Sequence, residues 1–251
     1  MSSDDRDLLG YWSGLAPLWR DDGAPARRGG LDRARIVAAA IELADAKGLE
    51  AVSMRRVAAK LQTGAMSLYR HVPDRDALEL MMIDRTLQEP AVDERHSGDW
   101  RSDLLALADA TWTLMRAHPW LPEAMMRRPP LTPHGVRGLE WALGIFDGYE
   151  ISIDAKMQYV SAIHFTVMSA ALNAAIEERT RTALGASDEE IMRAGSFVFE
   201  QVAASGIAPL VMRFVSEAQH LDETAQMRAG VELILDGIAT RLPARAAPEA
   251  R

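Results

Sequence analysis

The sequence predicts an all-α fold, with a small three-helix unit that contains a helix-turn-helix followed by a larger helical domain. Three observations predict it. Apolar residues recur at helical spacing along most of the 251 residues, with capping residues before the runs and Gly or Pro after them. No stretch alternates apolar and polar residues as a half-buried strand does, and no hairpin signal occurs. The run Ser53–His71, SMRRVAAKLQTGAMSLYRH, reads as two short helices separated by a break of three residues, Gln62-Thr63-Gly64, a length that a helix-turn-helix allows.

Bulk properties narrow the class. With 48% apolar residues the chain can build a sizeable core. The absence of cysteine excludes disulfides, a thiol nucleophile and a thiolate zinc site, and fits a reducing compartment. The acidic start MSSDDRDLLG lacks the basic-then-apolar pattern of a signal peptide, so a cytoplasmic location is expected. The net charge is −8, yet residues 27–75 hold ten Lys/Arg against five Asp/Glu, a balance of +5 that leaves −13 for the rest. A basic module on an acidic body suits a protein that presents one face to phosphate.

Residues 1–30 are rich in Gly and Pro, but Leu8, Leu9, Trp12, Leu15, Leu18 and Trp19 form a short apolar surface suited to docking on the body or on a partner. Arg27 and Arg28 stand where an arm reaches a minor groove or a phosphate in other helix-turn-helix proteins; a solvated linker is the alternative. The first helix runs from an Asp32 N-cap to Lys47, stops at Gly48 and buries Ile36, Ala39, Ala40, Leu43 and Ala44. Ser53 caps the second helix. Val57, Ala58, Leu61 and Leu68 close an apolar wedge beneath a third helix expected over 65–71. That helix is left free to enter a DNA major groove. Asp74 caps a helix over 75–89 with two apolar sides, Leu78, Met81 and Met82 on one and Leu80, Ile83 and Leu87 on the other. A helix shared by two neighbours has this pattern, so it is expected to link two domains mechanically.

Pro90–Gly98 marks a boundary. Helices are then expected over 100–117, with Leu104, Ala108, Thr111, Trp112 and Met115 as its stripe, over a short piece opening at His118–Pro122, and over 134–147. A helix over 153–178 follows, then a loop at 181–186, a helix capped by Ser187, breaks at Gly206 and Pro209, and a last helix over 222–241 carrying Val231, Leu233, Ile234, Leu235 and Ile238. Met157–Ile176 has no charged residue and the length of a membrane span. Its Gln158, Ser161, His164, Thr166, Ser169 and Asn173 make a buried helix the better reading, so no membrane partner is expected.

The stretch Leu31 to Leu87 resembles the N-terminal domain of the TetR family of transcriptional regulators. The resemblance rests on the helix ending in Lys47-Gly48, on Ser53-Met54-Arg55-Arg56-Val57-Ala58, on Ser67-Leu68-Tyr69-Arg70-His71-Val72, and on Asp74-Arg75-Asp76-Ala77-Leu78. It implies a two-domain homodimer whose small domain binds double-stranded operator DNA and whose larger domain dimerises and holds a small-molecule effector. It also implies contact roles for Arg55 near the start of the second helix, for Ala65, Met66, Ser67, Tyr69 and Arg70 in the groove, and for His71 and Arg75 near phosphate. This chain has Gln62-Thr63-Gly64 where the family often has Gly-Val. Ala65 and Met66 offer only apolar contact, which leaves Ser67 and Arg70 as base readers and favours shape readout.

Little in the sequence suggests catalysis. The six histidines include no i, i+4 metal pair, and no nucleophile elbow or Gly-rich phosphate loop occurs, so no enzyme activity, metal or cofactor is expected. For the effector, Trp112, Met115, His118, Trp141, Phe146, His164, Met168 and Asn173 combine apolar walls with a few polar groups. Each of these also serves as ordinary core, and His164 or Asn173 as a bond across a dimer seam. That seam is expected on the uncharged helix, where Ser161, Ala162, Ser169, Ala170, Ala174 and Ala175 are small, and on the final helix. The domain reading is an N-terminal extension 1–30, a DNA-binding domain 31–76, an effector and dimerisation domain 77–242 and a tail 243–251. The reading is a repressor released from a palindromic operator; the alternative is a helical small-molecule-binding protein without specific DNA recognition.

Overall fold

The computed structural model describes residues 15–19, 31–89, 95–127, 131–218 and 221–245, and every element among them is helical. After a short helical turn at Ala16–Trp19 come α1 (Arg33–Lys47), a 3-10 turn (Leu49–Ala51), α2 (Met54–Lys60), α3 (Ala65–Leu68) and α4 (Arg75–Thr86). The body holds α5 (Trp100–Ala117), α6 (Leu121–Arg127), α7 (Pro133–Gly144), α8 (Ile153–Leu184), α9 (Asp188–Ser205), α10 (Pro209–Glu217) and α11 (Glu223–Ala239).

The head is built from local signals. Asp32, Ser53 and Asp74 each accept a hydrogen bond from the backbone N–H three residues on, at Arg35, Arg56 and Ala77. Gly48, at φ 78°, ends α1. Ile36, Val57, Leu68, Val72 and Leu78 are fully buried together, so α1, α2 and α3 close over one core, with Leu61 only half-buried at its rim. Gln62 takes a positive φ of 54° in the break between α2 and α3, the left-handed turn that glycine usually supplies.

α4 packs on α1 in the head and on α6 and α7 in the body. Leu78, Leu80, Met81, Met82 and Ile83 are all buried, so both predicted apolar sides are used. In the body, α8 is the axis, packed against α5, α11, α6 and α7. One side of it is inside: Val160, Ile163, Val167, Met168 and Ala171 are buried. By length and composition α8 is apolar enough to cross a membrane, and one side of it packs against α5, α6, α7 and α11.

Several expected bounds shift. α3 is one turn, not 65–71: His71 and Val72 both donate to the Leu68 carbonyl, and Pro73 biases Val72 away from helical geometry. α4 ends at Thr86, not 89, and α7 spans 133–144, not 134–147. The loop expected at 181–186 shrinks, because charge alone does not stop a helix. α8 continues until Gly185 supplies a left-handed cap at φ 60°. The last helix covers 223–239, and its Leu233 faces outward at 75% exposure. Leu8, Leu9, Trp12, Arg27 and Arg28 lie outside the described residues. Leu18, however, packs on the core and the Trp19 indole donates to the Leu131 carbonyl at 3.0 Å, so this turn docks on the protein's own body.

Candidate nucleic-acid interface

α2 and α3 expose one edge of the head. Leu68 is buried beneath it, while Met66 is 76% and Tyr69 45% exposed. Arg55, Arg56, Ala59, Lys60 and Arg70 are exposed, and Ala65, Ser67 and His71 are half-buried. Arg55 and Arg70 form no ion pair among the described residues, whereas Lys60 pairs with Glu42 at 2.8 Å. The edge therefore offers unpaired guanidinium charge beside an aromatic ring and a flexible apolar side chain. Such a set suits phosphate, sugar and thymine-methyl contact with one or two bases read by hydrogen bonds.

Arg75 is not on that edge. Its side chain reaches the Leu49 carbonyl at 3.5 Å and, with Asp76, Glu79, Leu80, Ile83, Ala124 and Arg127, lines a cleft of about 200 Å³ between α4 and α6. Its position in the first turn of α4 puts it on the body side of the head.

Residues 36–80 match the family of bacterial regulatory proteins called tetR, and residues 92–242 match the tetracyclin repressor-like C-terminal domain. The chain belongs to the TetR family. A relative from Streptomyces coeruleorubidus, the HTH-type transcriptional repressor DrrR1, is 37% identical over 228 residues, covering 89% of this chain and 84% of its own length. The apo structure of ActR from Streptomyces coelicolor is similar at 26% identity with a TM-score of 0.69, covering 84% of this chain and 95% of that one. ActR in complex with actinorhodin is similar at 26% identity with a TM-score of 0.70, over 85% and 99% of the two chains. As a TetR-family member the protein is a transcriptional regulator, with an N-terminal helix-turn-helix head and a larger helical C-terminal domain.

The structure does not gather the candidate effector residues around one hollow. Trp112 and Met115 are buried on α5, and the Trp112 indole donates to Thr224 Oγ1 at 3.1 Å. His118 turns away from the bundle, onto Asp45 of the head. Trp141 lies against His96, ring centroids 4.7 Å apart, and its buried indole N–H has no partner among the described residues. Phe146 is fully buried beside Tyr159, and Met168 is buried on α8. His164, also on α8, has its pKa held below the ordinary histidine value by burial. Asn173 is exposed and lines a groove of about 520 Å³ between α8 and α11, with Phe165, Thr166, Ser169 and Gln226. Among the described residues no group of three or more His, Asp or Glu side chains is arranged to hold a metal.

Sequence reasoning missed Asp45, Asp84 and Trp120. One local signal was available for Asp45: a carboxylate in the last turn of a helix opposes the helix dipole.

Proposed function

We propose that this TetR-family protein is a homodimeric repressor that holds a palindromic operator and releases it when a small, largely apolar molecule binds the body. The observation that carries the DNA reading is the α2–α3 edge, where Leu68 anchors the turn and Arg55, Met66, Ser67, Tyr69 and Arg70 are turned outward or to its rim. Ala65 and His71 complete the contact set, and Arg75 is left out of it. The proposed division keeps an extension at 1–30, a DNA-binding head at 31–76, a body at 77–242 and a tail at 243–251. The repressor sense follows the relative DrrR1, and the protein acts in the cytoplasm with no reaction assigned to it.

The dimer seam is placed on α8 and α11. The groove between them is lined by Ser169, Ala170 and Ala174, and Phe165, Ile176 and Leu233 are exposed nearby. Helices α9 and α10 lie between these two in the chain and make their main contacts with each other. Among the described residues neither has a buried one, and Phe197, Ile207, Leu210 and Phe214 are exposed. A second copy is the occupant that covers such a hairpin and the groove together. For the effector, the buried Trp141 N–H, without a partner among the described residues, is the sharpest polar feature. Actinorhodin, held by ActR, is the first compound to try.

The test is selection of DNA fragments by the purified protein at near-physiological salt, followed by sequencing. Recovery of one palindromic motif is the expected result. Binding that is lost with salt and shows no motif sinks the proposal.

A further inference from the structure

Asp45 stands in the last turn of α1, where the helix dipole disfavours a carboxylate. What offsets that placement comes from the body. Its Oδ1 accepts from His118 Nδ1 at 2.8 Å and from Trp120 Nε1 at 2.7 Å. Both donors lie in the connection from α5 to α6 and are nearly inaccessible, at 8% and 2% exposure. The other ring nitrogen of His118 stands 3.4 Å from Glu89, just past α4. One imidazole thus ties together the end of α1, the end of α4 and the start of α6.

A second grip repeats this chemistry elsewhere on α4. Asp84 accepts from the backbone N–H of His134 at 2.8 Å and from its ring Nδ1 at 2.9 Å, at the start of α7. Between α4 and α6, Arg127 reaches Glu50 at 3.2 Å, Glu79 at 3.9 Å and Glu123 at 2.7 Å. Apolar packing along α4 resists separation of head and body but is tolerant of sliding. Hydrogen bonds to a carboxylate are directional, and two donors converging on one oxygen fix the angle as well as the distance.

We infer that the Asp45 clamp, formed by His118 and Trp120 and seconded by Asp84–His134, sets the angle of the head on the body and thereby the half-site spacing that the dimer accepts. The inference rests on the operator-binding reading above. His118 and Trp120 are positioning residues: they act on DNA through α1. A DNA dimer reads two half-sites at a fixed separation, so an angular error in each head becomes a spacing error at the operator.

The experiment uses the full-length protein and the palindrome recovered by selection, rebuilt as a series whose central spacer changes one base pair at a time. Trp120→Phe keeps an aromatic ring, smaller than the indole, and removes the donor; His118→Leu removes both ring nitrogens; Asp45→Ala removes the acceptor and Asp45→Asn keeps one. Wild type is expected to prefer its own spacing by roughly tenfold or more over neighbours, the worth of about one charge-assisted hydrogen bond. Trp120→Phe, His118→Leu and Asp45→Ala should flatten that preference severalfold while leaving half-site sequence preference and salt dependence as they were, and Asp45→Asn should restore part of it. Equal weakening at every spacing, or an unchanged preference, overturns the clamp. Thermal melts identify any variant that fails to fold, and Trp120→Phe then carries the test. If the wild type selects no palindrome, the operator reading itself falls and takes the spacing role with it. If the palindrome is selected but the variants keep its spacing preference, only the clamp falls.

Discussion

Leu68 and Arg70 are two residues apart and do opposite work. Leu68 is fully buried and pins a single helical turn to the head, and that pin is what turns Arg70 outward. An exposed guanidinium without a carboxylate partner is available to a guanine edge or to phosphate. Arg70→Ala is expected to relax sequence preference at one or two base pairs by about 1–3 kcal/mol, read as the spread of affinities across single-base operator variants. Uniform weakening across the variants would reduce it to a phosphate contact. Arg75 supplies the contrast. Turned onto the Leu49 carbonyl, it is expected to leave the salt dependence of DNA binding unchanged when replaced by Ala; a slope smaller by about one unit would return it to the phosphate set. His164 is legible through acid titration. Burial lowers its pKa from the usual 6.5, so below that value the unfolded chain takes up the proton first and the fold loses stability, whereas above it the residue contributes no slope. In His164→Gln, thermal melts followed downward from neutral pH should fall less steeply than in the wild type.

At the scale of elements, what is local was legible and what is distant was not. Asp32, Ser53, Asp74 and Ser187 were readable as caps because each bonds to an N–H three residues away in its own helix. Gly206, read as a break, ends its helix by left-handed geometry that depends on the residue itself; Gly185 does the same, although the helix was expected to stop at 178. The contact of His118 is the opposite case: its partner Asp45 is 73 residues away, and no periodicity carries that information. The amphipathic pattern of α9 and α10 likewise gives each an apolar side without saying what covers it. The hairpin is firmly built, with a reciprocal capping box at Ser187 and Glu190 and with Pro209 opening α10, yet its apolar residues meet little of its own chain. Large exposed apolar surface of this kind marks an interaction site. Phe197→Glu and Phe214→Glu are therefore expected to shift the protein from dimer toward monomer in sedimentation equilibrium, with the helical content retained. A dimer unmoved by both changes would leave the seam to α8 and α11 alone.

At the scale of the molecule, head and body share one helix and several polar grips, so neither can move without loading the other. Both apolar sides of α4 are buried, and Asp84 on the same helix holds α7. A molecule that binds the body and favours a different seat for α4 changes the free energy of operator binding by the difference in its own affinity for the two seats. Allosteric couplings of this kind amount to ~1–3 kcal/mol, a weakening of about 5–150-fold. Thermodynamic linkage makes the effect reciprocal: saturating operator DNA must weaken effector binding by the same factor. Titrating the effector into free protein and into the protein–operator complex measures both sides of that cycle. A finite factor, with effector and operator both bound at saturation, is expected for a coupling carried through α4. An effector whose apparent affinity keeps falling without limit as operator is added forms no ternary complex, and release would then be traced to competition for the α2–α3 edge itself.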